Sequence, residues 1–242
     1  MLLAQASETC VSTNSTTRAK KGVPLHTPAA GLASPELALA RRPRYATLRH
    51  MTWSGVLLAA GASLRMGRDK ALLPTADGPL WRRQLAVLAA AGTAELLVSA
   101  RAEQSWVPPE VTRLADAVPG AGPLAGLAAA LARCRGTHLL VLAVDLPALP
   151  ADWFLDLQSS CAPGCGAAGV HVDGADGEAF EPLAAIYPCE LAAWAEAALR
   201  RRELALQPLL QRAAAAGLMQ AVPIAPERAA WFANWNRPED LV

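Results

Sequence analysis

Three short apolar runs, GVLLAA at 55–60, ELLVSA at 95–100 and THLLVLAVD at 137–145, alternate with stretches of helical periodicity. PLWRRQLAVLAAAG (79–92) places Leu80, Leu85 and Leu88 at helical spacing and stops at Gly92; PLAGLAAALARCRG (123–136) and PADWFLDLQSS (150–160) follow the next two runs. Short continuous apolar runs suit strands buried on both faces, and their alternation with helices implies right-handed βαβ crossovers. The chain is therefore expected to form a doubly wound α/β domain with a mostly parallel sheet between two layers of helices. AAGVHV (167–172) and LAAIY (183–187) are expected to add strands. ELAAWAEAALRRR (190–202) reads as a helix with its glutamates early and its arginines late, as the helix dipole favours.

Ligands of such a sheet sit beyond the carboxyl ends of the strands. Three loops are expected there: Gly61–Lys70, the segment VPGAGPLAG (118–126), and Asp145–Pro150. In the first, Gly61 and Gly67 allow positive φ and close backbone approach, a turn of this kind forms a nest of N–H groups for anions, and Arg65 and Lys70 add positive charge. That combination suits a polyphosphate, although a solvated turn would use the same residue types. It is not a P-loop, because five residues separate the glycines and Ala71 follows Lys70, nor is it GxGxxG. Asp145 ends the most apolar strand, where a carboxylate could hold Mg²⁺ together with substrate phosphates or simply cap the turn before Pro150.

Composition excludes several classes. A chain of 242 residues, 53% hydrophobic, 18% charged and of formal net charge +1, offers no overall bias toward nucleic acid or a membrane surface. No apolar run approaches the roughly 18 residues that span a bilayer. The charge is uneven: Met1–His50 carries seven lysines and arginines against Glu8 and Glu36, with TNSTT, Pro-containing turns and no sustained apolar period. Residues 1–52 are expected to be a disordered extension outside the fold, either a targeting tail or sequence upstream of a true start at Met51, and 53–242 to be the working domain. The cysteines, Cys10, Cys134, Cys161, Cys165 and Cys189, lack paired ligand spacing, so zinc is not expected and reduced thiols of a cytoplasmic protein are.

LAAGASLRMGRDKALL (58–73) resembles the nucleotide signature LA(A/G)GxSxRMGxDK of the molybdopterin nucleotidyltransferases, and GPLAGLAAAL (122–131), VLAVDLPALP (141–150) and FANWNRPEDL (232–241) extend the likeness in the family's order. The resemblance implies a three-layer, Rossmann-like nucleotidyltransferase fold that joins a nucleoside triphosphate to the terminal phosphate of molybdopterin, with Mg²⁺ as cofactor and pyrophosphate as product. Leu58, Ala59, Ala60 and Gly61 match the segment whose backbone reads the base; Arg65 and Lys70 match phosphate-contacting positions. Asp116 matches an aspartate near the nucleotide, and Asp145 the magnesium ligand. Asn234 and Asn236 match the NxN element on the pterin side, two residues apart and so on one face of an extended segment. Asp69-Lys70, GPLAG and NWN favour the guanylyl branch and GTP; LAAG in place of LAGG is usual in the cytidylyl branch and points to CTP, and VSAR at 98–101 departs from a guanylyl pattern that tends to have asparagines there. A cytidylyl or other small-molecule nucleotidyltransferase and a non-catalytic nucleotide-binding module are the competing readings. The implied partners are GTP or CTP, molybdopterin, and transiently a cofactor carrier or acceptor enzyme.

Overall fold

The computed structural model describes residues 50–61, 67–115, 118, 120–173 and 177–235. The extension expected for 1–52 thus falls, up to residue 49, outside the described residues, as do Arg65, Asp116 and Asn236.

The elements run β1 (Trp53–Leu58), β2 (Pro74–Thr75), β3 (Gly78–Pro79), α1 (Leu80–Ala90), β4 (Glu95–Ser99), β5 (Thr112–Leu114), α2 (Pro123–Arg133), β6 (His138–Ala143), α3 (Ala151–Ser160), β7 (Gly166–Asp173), β8 (Gly177–Pro188), α4 (Ala192–Arg201), α5 (Leu206–Ala215) and β9 (Met219–Pro223). Short 3₁₀ turns occupy Lys70–Leu72, Cys189–Leu191 and Pro226–Phe232. Seven strands form one sheet in the order β5-β4-β1-β6-β8-β7-β9, and β2 and β3 form a separate hairpin.

The three apolar runs became β1, β4 and β6, which lie parallel and side by side with Val56 opposite both Leu97 and Val141. Every residue of β6 is buried. The sheet changes direction at β8, which pairs antiparallel with β6 and β7, while β9 returns parallel to β7. One face is covered by Leu80 and Leu88 of α1 with Trp153, Phe154 and Leu157 of α3. The other is covered by Leu124 and Leu127 of α2, Ala195 and Ala198 of α4, and Leu209 and Leu210 of α5. These two cores make the three layers. Among the described residues no helix is long and apolar enough to cross a membrane, and no group of three or more His, Cys, Asp or Glu gathers as a metal cluster.

Two local details differ from the sequence expectation. Gly67 has φ +64°, but Gly61 keeps a φ that any residue adopts. Cys134 and Cys189, 55 residues apart, lie side by side with Cα atoms 7.4 Å apart, a meeting that sequence spacing could not indicate. That separation exceeds the reach of an ordinary disulfide.

Candidate active site at the carboxyl edge of the parallel strands

β1, β4 and β6 all end at one edge of the sheet, and the backbone leaving them encloses a cavity of about 640 Å³. Ala59 N–H donates to Ser99 O (2.9 Å) and Val144 N–H to Leu58 O (3.1 Å), so the three strand ends remain tied beyond the ladder. Gly122 starts α2 with φ +64°, and Pro123 follows at the first helical position, where its missing N–H costs nothing. The glycine-rich segment before α2 therefore closes one side of the cavity with backbone rather than side chains.

Lys70 and Asp145 meet across this cavity. Lys70 Nζ lies 3.2 Å from Asp145 Oδ2, with side chains 13% and 25% exposed. Each is held by its own loop. Asp69 caps the Lys70–Leu72 turn by accepting from Ala71 N–H at 3.1 Å. The Asp145 loop is fastened by α1: Gln84 Nε2 donates to Ala143 O (3.3 Å) and Leu146 O (2.8 Å), and Arg83 Nε donates to Pro147 O (2.8 Å). From the C-terminal side, Trp235 N–H donates to Asp145 O at 2.9 Å.

Of the residues singled out by sequence, Leu58, Ala60, Gly61, Lys70 and Asp145 line the cavity. Ala59 lies behind that lining, 2% exposed, with its N–H given to Ser99 O and its carbonyl accepting from Gln104 Nε2 at 3.0 Å. Among the described residues, its chain neighbours aside, a Cβ added at Gly61 would meet no atom within 4 Å. Asn234 is exposed, one residue before the bond that joins its segment to Asp145.

Several contributors carry no motif. Arg101 lines the cavity and donates to Ala60 O (3.0 Å) and Gly61 O (2.5 Å), fixing the backbone that follows β1. Gln104 and Trp106 both reach Asp69. Their one sequence signal is location, within a few residues of the end of a parallel strand.

A second polar pair lies on the sheet beyond β6. His171 and Glu181 are 2.7 Å apart, with Phe232 edge-on to the imidazole at 5.8 Å. Burial raises the Glu181 carboxyl above its ordinary range, opposed by the hydrogen bond from His171.

The family model described as a MobA-like NTP transferase domain matches residues 55–217. A protein of Opitutus terrae named "Probable molybdenum cofactor guanylyltransferase" is 45% identical over 191 residues, covering 77% of this chain and 92% of that one. The "Molybdenum cofactor guanylyltransferase" of Rhizobium johnstonii is 32% identical over 197 residues, covering 78% and 90%. Among solved structures, the molybdopterin-guanine dinucleotide biosynthesis protein A of Archaeoglobus fulgidus matches with a TM-score of 0.60 at 21% identity, covering 78% of this chain and 94% of that one. At that identity the structural match speaks to the fold.

Proposed function

The chain belongs to the MobA-like NTP transferase family, and from that premise we propose that it transfers GMP from GTP to the terminal phosphate of molybdopterin, releasing pyrophosphate. One observation carries the reading: the cation of one loop and the carboxylate of another meet 3.2 Å apart over a cavity at the carboxyl edge of β1 and β6. Relatives bearing the guanylyltransferase name at 45% and 32% identity support the choice of reaction and base.

Mg²⁺ is the cofactor of this reading. The donor set suits it: Asp145 presents a carboxylate to the cavity, and Mg²⁺ is commonly held by one or two carboxylates together with substrate phosphates. Asp145 would hold the ion, which would supply charge neutralisation at the triphosphate. Lys70 contributes a fixed cation against the charge that develops on the α-phosphoryl group and the leaving pyrophosphate. An oxygen of the acceptor phosphate bonds to the α-phosphorus as the bond to the bridging oxygen breaks, and its electron pair leaves with pyrophosphate. No general base is needed, since a phosphate nucleophile is already ionised at neutral pH. Positioning does the remainder: Arg101 holds the carbonyls after β1, and the Asn234 segment is joined to the Asp145 loop on the acceptor side. Arg65, Asp116 and Asn236 join the site on their motif positions alone. A cytoplasmic location and transient contact with a cofactor carrier or acceptor enzyme belong to the same reading.

Ala60 gives the cytidylyl reading its one specific support, since its residue lines the cavity where the guanylyl pattern has glycine. Incubation with molybdopterin, Mg²⁺ and each of GTP, CTP, ATP and UTP, with pyrophosphate and dinucleotide measured, tests both. GTP is expected to be preferred; turnover with CTP alone would overturn the guanylyl assignment.

A further inference from the structure

Behind the cavity a single side chain joins three segments of the chain. Gln104 is 4% exposed. Its amide oxygen accepts from Arg101 N–H at 2.7 Å, and its amide nitrogen donates to Ala59 O at 3.0 Å and to Asp69 Oδ2 at 2.8 Å. The same Asp69 oxygen accepts from the Trp106 indole N–H at 2.8 Å, while Asp69 Oδ1 accepts from Ala71 N–H at 3.1 Å. Trp106 is itself stacked on Trp81, ring centroids 5.6 Å apart and planes 20° from parallel, which fixes the direction of its N–H.

The charge arrangement explains why this matters to the next residue. Asp69 and Lys70 are adjacent and opposite in charge, and a loosely held Asp69 carboxylate would compete with Asp145 and an incoming phosphate for the Lys70 ammonium. Three neutral donors instead occupy the carboxylate and hold it toward the ends of β1 and β4. The turn it caps begins at Lys70, so the placement of Asp69 sets the placement of the Lys70 backbone.

We propose that Gln104, assisted by Trp106, is a positioning residue for nucleotidyl transfer: by fastening Asp69 to Ala59 and Arg101 it aims the Lys70 ammonium at the transferring phosphate. The proposal rests on the reading of Lys70 as the phosphate-facing cation. It acts through geometry rather than by contact with substrate, and geometry is what a transfer catalysed by positioned charge depends on.

The sequence offers a direct probe. The lysines of this chain are Lys20, Lys21 and Lys70, so the amine reactivity of Lys70 can be followed by reductive dimethylation at the peptide level with the other two as internal references. Gln104→Leu keeps roughly the side-chain volume and removes all three bonds. In the full chain it is expected to lower kcat by about tenfold or more, leave KM for the acceptor within about twofold, and change the dimethylation rate of Lys70 several-fold. Trp106→Phe should move the same readouts in the same direction by less. Adding Gln104→Leu to Lys70→Ala should cost no further activity, because the two act as one unit. Additive loss on the Lys70→Ala background, or kcat and Lys70 reactivity both within about twofold of the parent, would overturn the proposal. Should Gln104→Leu fail to fold, the same measurements on Trp106→Phe decide it, with unchanged values counting against it. If the parent chain transfers no GMP the functional reading fails separately, and the Lys70 reactivity still decides the positioning.

Discussion

Lys70 and Asp145 drew attention in the sequence as charges in the loops that follow two apolar runs, and the structure brings them together at the cavity. Their structural contribution is small: a partly exposed ion pair is worth at most about 1 kcal/mol. Their contribution to transfer is expected to be large, since charge stabilisation is concentrated in the transition state. Lys70→Ala and Asp145→Asn should each lower kcat by about 100-fold or more while shifting Tm by no more than a few degrees, measured by pyrophosphate release and calorimetry. Near-normal turnover in Asp145→Asn would remove it from the proposed metal site. Gln104 was not legible, because a buried amide serving three distant backbone and side-chain groups leaves no spacing pattern. The cysteines show a further limit. Burial, reinforced by the nearby Cys165, pushes the Cys161 thiol up to about 12, so the half-buried group is almost wholly protonated at pH 8. Iodoacetamide at pH 8 should leave Cys161 largely unmodified in the folded chain and alkylate it promptly after denaturation; prompt alkylation without denaturant would mean that the Cys161–Cys165 turn opens readily.

At the scale of elements, the parallel half of the sheet could be read because strands buried on both faces carry continuous apolar runs, as in GVLL of β1 and LLVLA of β6. LAAIY read as a strand too, but periodicity says nothing of direction, and its residues belong to a longer β8 that runs antiparallel to β6. β5 is three residues long and β9 shows four exposed or half-exposed positions after its buried start, too little pattern for either to stand out. The α5 sequence LQPLLQRAAA is obscured by Pro208, which the helix tolerates because it falls in the first turn, where backbone N–H groups lack intrahelical partners. The GPLAG motif has a packing meaning beyond its loop. A Cβ on Gly126 would lie 2.7 Å from Ser99 Oγ, 3.0 Å from Leu58 Cδ2 and 3.1 Å from Ser99 Cβ, so this glycine lets α2 lie directly on the ends of β1 and β4. Gly126→Ala should push that helix outward, costing about 1–3 kcal/mol of stability and raising KM for GTP, since the displaced residues line the cavity. Unchanged Tm and KM would show that Ser99 and Leu58 yield without moving the helix.

At the scale of the whole molecule, the seven-stranded sheet, both apolar cores and the cavity fall within the compact unit Thr47–Val242. The sheet's lower edge is secured from Thr52 onward: Thr52 N–H donates to Thr137 Oγ1 at 3.0 Å, and Thr137 and His138 N–H donate back to Thr52 O at 3.0 and 3.1 Å. The site lies at the opposite end of β1, beyond Leu58, so a start at Met51 keeps every one of these bonds and every described residue of the cavity. A chain beginning at Met51 is therefore expected to melt within a few degrees of the full chain and to transfer GMP at a rate within about twofold of it. The lysines and arginines of Met1–His50 give a rival expectation, a basic arm that docks an acidic acceptor protein and weakens as salt rises. Comparing the two chains for transfer, and for delivery of product to an acceptor enzyme at low and high ionic strength, separates them. Loss of transfer in the shorter chain would place part of the site before Met51, whereas loss of delivery alone, most pronounced at low salt, would assign the arm to docking.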